Sequence, residues 1–267
     1  MVQFFDEIPP FLIDWIRAQQ IFWVATAPLS KEGHVNVSGK GVEGTFHVID
    51  NRKVWYEDLT GSGCETISHI RENGRITVYF NAFEGPPRIA RLFGKGTVYE
   101  FGTPEYNDLI PPEKRKPGSR SVIMVDVHKV ATSCGYAIPF FEFKSHRNKL
   151  IQWATPKETA DIEASAEAKE KGLKAYWART NSTSLDGLPG MSLLPQTTDT
   201  QFVGPVAQRM RGGVEPDNYE KRQHGDATGK LDSLRVVVPD TKMAVGFALG
   251  ALAVVTCYRV AAVVDGL

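Results

Sequence analysis

The residues best suited to chemistry form the run Asp58-Leu59-Thr60-Gly61-Ser62-Gly63, two glycines and two hydroxyls set just before a stretch that reads as a helix. Backbone N–H groups at a helix start carry partial positive charge and point outward, which suits a phosphate or another anion. Gly61 and Gly63 permit close approach of a ligand, and Thr60, Ser62 and Thr66 add hydroxyl donors. The run lacks both GxxxxGK[ST] and GxGxxG after a strand, so neither a P-loop nor a Rossmann cofactor site is indicated. A ligand-free turn before a helix has the same composition, so the loop alone does not decide.

Two cationic elements accompany it. Asn36-Val37-Ser38-Gly39-Lys40-Gly41 ends an alternating strand with a lysine between glycines. Such a cation can meet a phosphate or the edge of a flavin ring, and a surface-turn lysine is the plain alternative. Arg88 and Arg91 lie three residues apart on one strand, so they project to opposite faces and only one addresses a given ligand unless the strand bulges; a surface salt bridge is the alternative for each. No residue declares itself a general base. His69 falls on the helix after the loop, where a partly exposed histidine is the ordinary case, and His34 and His47 flank the lysine strand without metal-ligand spacing. Cys64 reads as a packed small residue.

These residues need strands to hold them. Short β-branched and aromatic runs at 21–26, 34–38, 53–56, 76–80, 89–93, 97–99 and 121–127 are separated by Gly, Pro, Asn and Asp clusters, the pattern of a sandwich or barrel. Helices are expected from Pro9 to Gln20, after a capping box of Ser62 and Glu65 and closed by Asn73-Gly74, and in a short turn at Thr103-Pro104-Glu105. The longest helix is expected over 155–179, with Thr155 as cap, Pro156 at its first position and Glu158 closing a capping box. Trp153, Tyr176 and Trp177 are expected to pack it on the strands.

The chain has 267 residues, and its formal net charge of zero argues against a broad nucleic-acid surface. Three scattered cysteines support neither a disulfide framework nor a zinc cluster and fit a reducing compartment. The N-terminus has no basic region before an apolar run, so it does not read as a secretory signal. Four segments follow: a barrel at 1–150, a helical extension at 151–191, a polar flexible linker at 192–242, and an apolar stretch at 243–264 whose only charge is Arg259. That last stretch is long enough to span a bilayer and is read as a tail anchor that leaves the barrel in the cytosol.

Several blocks in order, NVSGKG at 36–41, WYEDLTGSGCETISHIRENGRITVYF at 55–80, AFEGPPRIARLFGKG at 82–96, TSCGYAIPFFEF at 132–143 and NSTSLDGLPGM at 181–191, resemble an uncharacterised branch of the pyridoxamine-5'-phosphate-oxidase-like family. The resemblance covers roughly residues 1–191. It implies a mainly β split barrel with flanking helices that binds flavin mononucleotide (FMN) at a homodimer interface and oxidises or reduces a small molecule. It also implies that Ser38, Lys40, Gly41, Asp58, Thr60, Ser62, Gly63 and Thr66 lie near FMN, with Arg88 or Arg91 from the adjoining strand. The alternative is a membrane-tethered protein that holds a flavin, haem or vitamin B6 phosphate without turnover. The true oxidases carry an Arg-Lys pair where this chain has Ser62-Gly63-Cys64. That departure removes the implication of an identical phosphate grip, and with it pyridoxamine phosphate as the implied substrate.

Overall fold

The computed structural model describes residues 2–163 and 165–192. In chain order the elements are β1 (Gln3–Phe5), α1 (Pro10–Arg17), β2 (Phe22–Thr26), β3 (Asn36–Lys40), β4 (Phe46–Val48), β5 (Lys53–Leu59), α2 (Glu65–Asn73), β6 (Arg75–Asn81), β7 (Ile89–Glu100), α3 (Pro104–Leu109), β8 (Ser119–Ser133), α4 (Lys149–Ile162), α5 (Ala166–Glu170) and α6 (Leu173–Thr180). The strands form one antiparallel sheet in the order β3-β2-β6-β7-β8-β5-β4, with β1 added beside β8.

The sheet curls into a half-barrel because one face of every long strand is apolar. Phe22 and Val24 of β2, Val54 and Tyr56 of β5, Val78 and Phe80 of β6, and Ala90 and Leu92 of β7 alternate into the interior. Phe46, on the far edge strand β4, meets Phe22 at 4.9 Å and Phe80 at 5.1 Å, so the two ends of the strand order close on one aromatic core. α1 plugs this core with Leu12 and Ile16, both buried. α2 lies against the sheet through Ile67 and Ile70.

Several sequence expectations change. β7 is one 12-residue strand, not the two pieces 89–93 and 97–99. Gly94 and Gly96 sit where the backbone passes close to neighbours: a Cβ on Gly94 would press on the carbonyl of Asp126, and one on Gly96 would press on Ile70. These glycines serve packing at a bulge between Phe93 and Gly94, and no turn forms there. β3 begins two residues later than expected and reaches Lys40, and β5 runs on to Leu59.

The long helix over 155–179 does not exist. α4 starts at Lys149 and carries Pro156 in its interior, where the Thr155 hydroxyl donates back to the Ile151 carbonyl instead of capping. Two caps break the stretch: Ser165 accepts from the Ala168 amide at the start of α5, and the Asp161 carboxylate accepts from the amides of Leu173 and Lys174 at the start of α6. Ser62 does not cap α2. Cys64 is the cap residue and makes no capping bond, its thiol meeting the Ser68 hydroxyl at 3.7 Å instead. Gly74 ends α2 in the left-handed region at φ 70°, as expected. The linker at 192–242, save Ser192, and the apolar stretch at 243–264 lie outside the described residues. Among the described residues no helix is long and apolar enough to cross a membrane.

Candidate functional site

The ten residues singled out in the sequence fall in four places. The first is the seam where β3, an edge strand, faces β5 without a hydrogen-bonded ladder. Asn36, Ser38 and Lys40 alternate onto one face of β3, and Lys40 bridges the seam to β5 while Asn36 reaches α2. Lys40 Nζ donates to Asp58 Oδ1 at 3.0 Å, and Asn36 Nδ2 donates to the Thr66 hydroxyl at 3.0 Å. Asp58 is fully buried. Its second oxygen accepts from Arg120 Nε at 2.8 Å. Burial would raise the Asp58 carboxyl, but the charges of Arg120 and Lys40 outweigh it and hold the group at about 2. The cluster has two cations and one carboxylate, and Arg120 also donates to the Gly63 carbonyl at 2.8 Å. Ser38 Oγ and the Tyr56 hydroxyl are buried nearby without partners among the described residues.

The second place is the loop before α2, where the Thr60 hydroxyl and the carbonyls of Gly61 and Gly63 are committed within the chain. The Thr60 hydroxyl donates to the Gly118 carbonyl at 2.6 Å and accepts from Trp177 Nε1 at 2.8 Å. Asn181, fully buried after α6, donates to the carbonyls of Gly61 at 3.1 Å and Gly63 at 3.4 Å. The Glu65 carboxylate folds against Gly63, where an added Cβ would collide with it, and accepts the Leu185 amide at 3.2 Å. A carboxylate therefore already sits at the positive end of α2. Ser62 is exposed. The segment after α6 is tied down further by Arg71 to the Gly190 carbonyl and by the Ser192 amide to Glu100 at 2.8 Å.

The third place is a cavity of about 880 Å³ at the end of the barrel, roofed by an irregular strap, residues 134–148, that contains no helix or strand. Gly41 and Arg88 line it, as do Trp15, Phe83, Phe141 and Phe143. The strap is pinned by the Phe141 amide to the Phe83 carbonyl, by the Phe143 amide to Glu84, and by His146 Nδ1 to the Gly41 carbonyl at 2.7 Å, which fixes the proton on Nδ1. Arg88 lies over the rings of Phe11 at 5.4 Å and Trp15 at 5.6 Å, with no carboxylate partner among the described residues. Asn81, 3% exposed, lines the same cavity and leaves its Nδ2 donor without a partner. A buried donor of this kind costs free energy unless a ligand or water accepts from it. Volume, aromatic walls and a few polar groups match an ordinary small-molecule site.

The fourth place is Arg91, whose guanidinium lies over Tyr79 at 5.3 Å. It stands apart from Arg88, as their spacing requires. His69 is fully buried, correcting the expectation of a partly exposed residue: its Nδ1 meets the Thr26 hydroxyl at 3.0 Å and burial lowers its pKa. Cys64 is buried too, and burial raises its thiol. Arg120, Asn81, Asn181 and the strap aromatics were not singled out in the sequence. Strap residues 134–143 and the segment carrying Asn181 fall within the resembling blocks 132–143 and 181–191, yet their residue types signal no chemistry by themselves.

The chain is similar to several known proteins. A curated relative from Aspergillus flavus, the pyridoxamine 5'-phosphate oxidase family protein ustO, is 39% identical over 193 residues, spanning 70% of this chain and 77% of the relative. Among solved structures, HupZ of Group A Streptococcus is similar over 46% of this chain and 92% of its own, at 19% identity and a TM-score of 0.35. A pyridoxamine 5'-phosphate oxidase-related, FMN binding protein of Nostoc punctiforme is similar over 42% of this chain and 74% of its own, at 11% identity and a TM-score of 0.33. No protein-family profile matches the chain.

Proposed function

The chain belongs to the pyridoxamine 5'-phosphate oxidase family, and on that premise we propose that it binds FMN in the strap cavity and acts as an oxidoreductase on a small molecule. The observation that carries this reading is the aromatic cavity with its unpartnered Asn81 donor. Phe83, Phe141, Phe143 and Trp15 offer apolar walls for a flat heterocycle, and Asn81 Nδ2 is the hydrogen-bond donor that a ring carbonyl or ring nitrogen accepts from. The strap limits water above the ring, and its bond from His146 to Gly41 keeps it in place. A bound flavin supplies two-electron acceptance, and the protein binds, orients and tunes it.

A second reading, a binding protein without turnover that holds a flavin, haem or vitamin B6 phosphate, is favoured by one observation. No buried titratable side chain lines the cavity: Glu84, Glu142, Lys144 and Arg147 are exposed, and His146 has its Nδ1 engaged. In either reading protons come from solvent. The exposed valines at edge strand β3, Val35 just before it at 71% and Val37 on it at 63%, support a second copy covering that face.

The test uses the full-length chain. Addition of FMN is expected to quench flavin fluorescence saturably, and a reduced nicotinamide added without oxygen is expected to bleach the bound flavin. Saturable binding without bleaching by any common reductant favours the binding protein. A chain that leaves FMN fluorescence untouched overturns the proposal.

A further inference from the structure

The loop between α3 and β8 carries Lys114, Arg115 and Lys116 in succession, and two buried carboxylates fix its course. Glu158, 1% exposed, pairs with Arg115 through both oxygens, and its Oε1 also accepts the Gly118 amide at 2.7 Å. Glu57, 5% exposed, accepts the Lys116 amide at 2.9 Å. Arg115 is thereby neutralised inside the fold. Lys114 and Lys116 instead line a second cavity, of about 470 Å³, whose other walls come from the β3–β4 loop, the end of the strap and the start of α4. Arg147 of the strap lines it too. Lys114, Lys116 and Arg147 pair with no carboxylate among the described residues. Lys116 is half-buried, and its Nζ lies 3.6 Å from the place that a Cβ on Gly44 would take. A partly desolvated ammonium without a counter-ion carries a cost that an anion relieves. Glu43 and Glu113 also line the cavity, but both are exposed, so water and salt screen them.

We infer that this cavity is a second ligand site, separate from the one under the strap, and that it takes a small organic molecule bearing a phosphate group. The volume suits a small molecule, and Val42 and Ile151 give the organic part an apolar wall. Lys116 meets the phosphate as a fixed point charge, because the loop that carries it is tied to Glu57 and Glu158. Arg147 adds a planar guanidinium that matches two phosphate oxygens. His146 and Arg147 line both cavities, so an occupant here bears on the strap that roofs the other. The inference goes beyond the flavin reading and does not depend on it.

The experiment is isothermal titration calorimetry on the full-length chain, with phenyl phosphate and inorganic phosphate as probes and chloride at matched ionic strength as reference. Both phosphates are expected to bind saturably, phenyl phosphate the more tightly. Equal affinity overturns the organic part of the assignment and leaves a site for the free ion. Lys116→Ala is expected to weaken binding about 10-fold, the size of one charge-assisted contact. Arg147→Ala weakens it about 3-fold, because Arg147 is exposed. Lys116→Arg keeps most of the affinity, and Lys31→Ala, which removes an exposed cation outside the cavity, leaves it unchanged. An absence of saturable heat, or a Lys116→Ala chain that binds as the wild type does, overturns the inference. Displacement of phenyl phosphate by FMN also overturns it, because one site would then serve both. A chain that binds phenyl phosphate and no FMN upholds this inference and overturns the flavin reading. Circular dichroism on each variant separates lost binding from lost folding.

Discussion

The loop before α2 and the strap cavity differ in how they announce themselves. The loop has the composition of a ligand cradle, yet its Thr60 hydroxyl is engaged by Gly118 and Trp177, and its Gly61 and Gly63 carbonyls accept from Asn181. The cavity is built from aromatics, two arginines and one asparagine drawn from α1, the end of β6, the loop before β7 and an irregular strap, and it leaves the buried Asn81 donor without a partner. Composition shows what a segment can bind, whereas satisfaction shows what it still has to bind. A hydroxyl that already donates and accepts inside the fold contributes to stability, and a buried amide donor with nothing to donate to points to a ligand.

The largest effect that can sharpen this contrast is at Trp177. It is fully buried, packs on Phe101 at 5.8 Å and donates to Thr60. Trp177→Ala is expected to cost about 3–5 kcal/mol in a urea unfolding curve. The same variant, where folded, is expected to bind FMN with unchanged affinity, because Trp177 lies outside the cavity proposed for the ligand. A loss of affinity with no loss of stability would reverse the assignment of the two regions.

Next in size is an acid limb. The Asp58 carboxyl, buried at the seam but outweighed by Arg120 and Lys40, sits at about 2 against an ordinary 3.8. A carboxyl depressed on folding adds stability above its unfolded value, and that stability is lost as pH falls through the folded value. The chain is therefore expected to lose about 2 kcal/mol between roughly pH 4 and pH 2 from this group alone. Denaturant midpoints measured across that window should fall, and Asp58→Asn should flatten the limb. A wild-type limb as flat as that of the variant would mean that the seam is open to water.

What the sequence made legible follows from the range of the interactions. Strand runs such as 21–26 and 76–80 and the stop at Asn73-Gly74 are local, and the structure has them to within a residue. Gly94 and Gly96 read as a turn because a glycine that admits a neighbouring strand and one that reverses the chain are the same letter. The helix over 155–179 was misread because its breaks depend on Asp161 reaching amides 12 and 13 residues later. The Lys40–Asp58 pairing joins residues that were both singled out, but Arg120, which completes it, comes from a strand 62 residues beyond Asp58. Asn81 is the clearest case. Its chemistry consists in lacking a partner, and only the fold determines that.

A smaller effect is expected at Thr60. Thr60→Val keeps the shape and removes the donor to Gly118 and the acceptor for Trp177. The Trp177 indole N–H loses its bond to Thr60, for a cost of about 1–2 kcal/mol in unfolding free energy. If the cost vanishes, the Trp177 contact is one of packing alone and the loop is freer than its bonds indicate.

The smallest effect separates the two regions most cleanly. Ser62 stands at the centre of the glycine loop, where a phosphate would find its hydroxyl if the loop were a cradle, and it is exposed. As a change at a surface residue, Ser62→Ala should alter unfolding free energy by no more than about 0.5 kcal/mol. Flavin affinity should be equally indifferent, because the cavity proposed for the ligand is lined by Arg88 and Asn81 and not by Ser62. A silent Ser62 beside a responsive Asn81→Leu, which replaces the unpartnered donor with an apolar group of similar size, places the ligand at the strap. A Ser62 variant that weakens flavin binding without touching stability places it at the loop, and then the Glu65 carboxylate must move aside when the ligand binds.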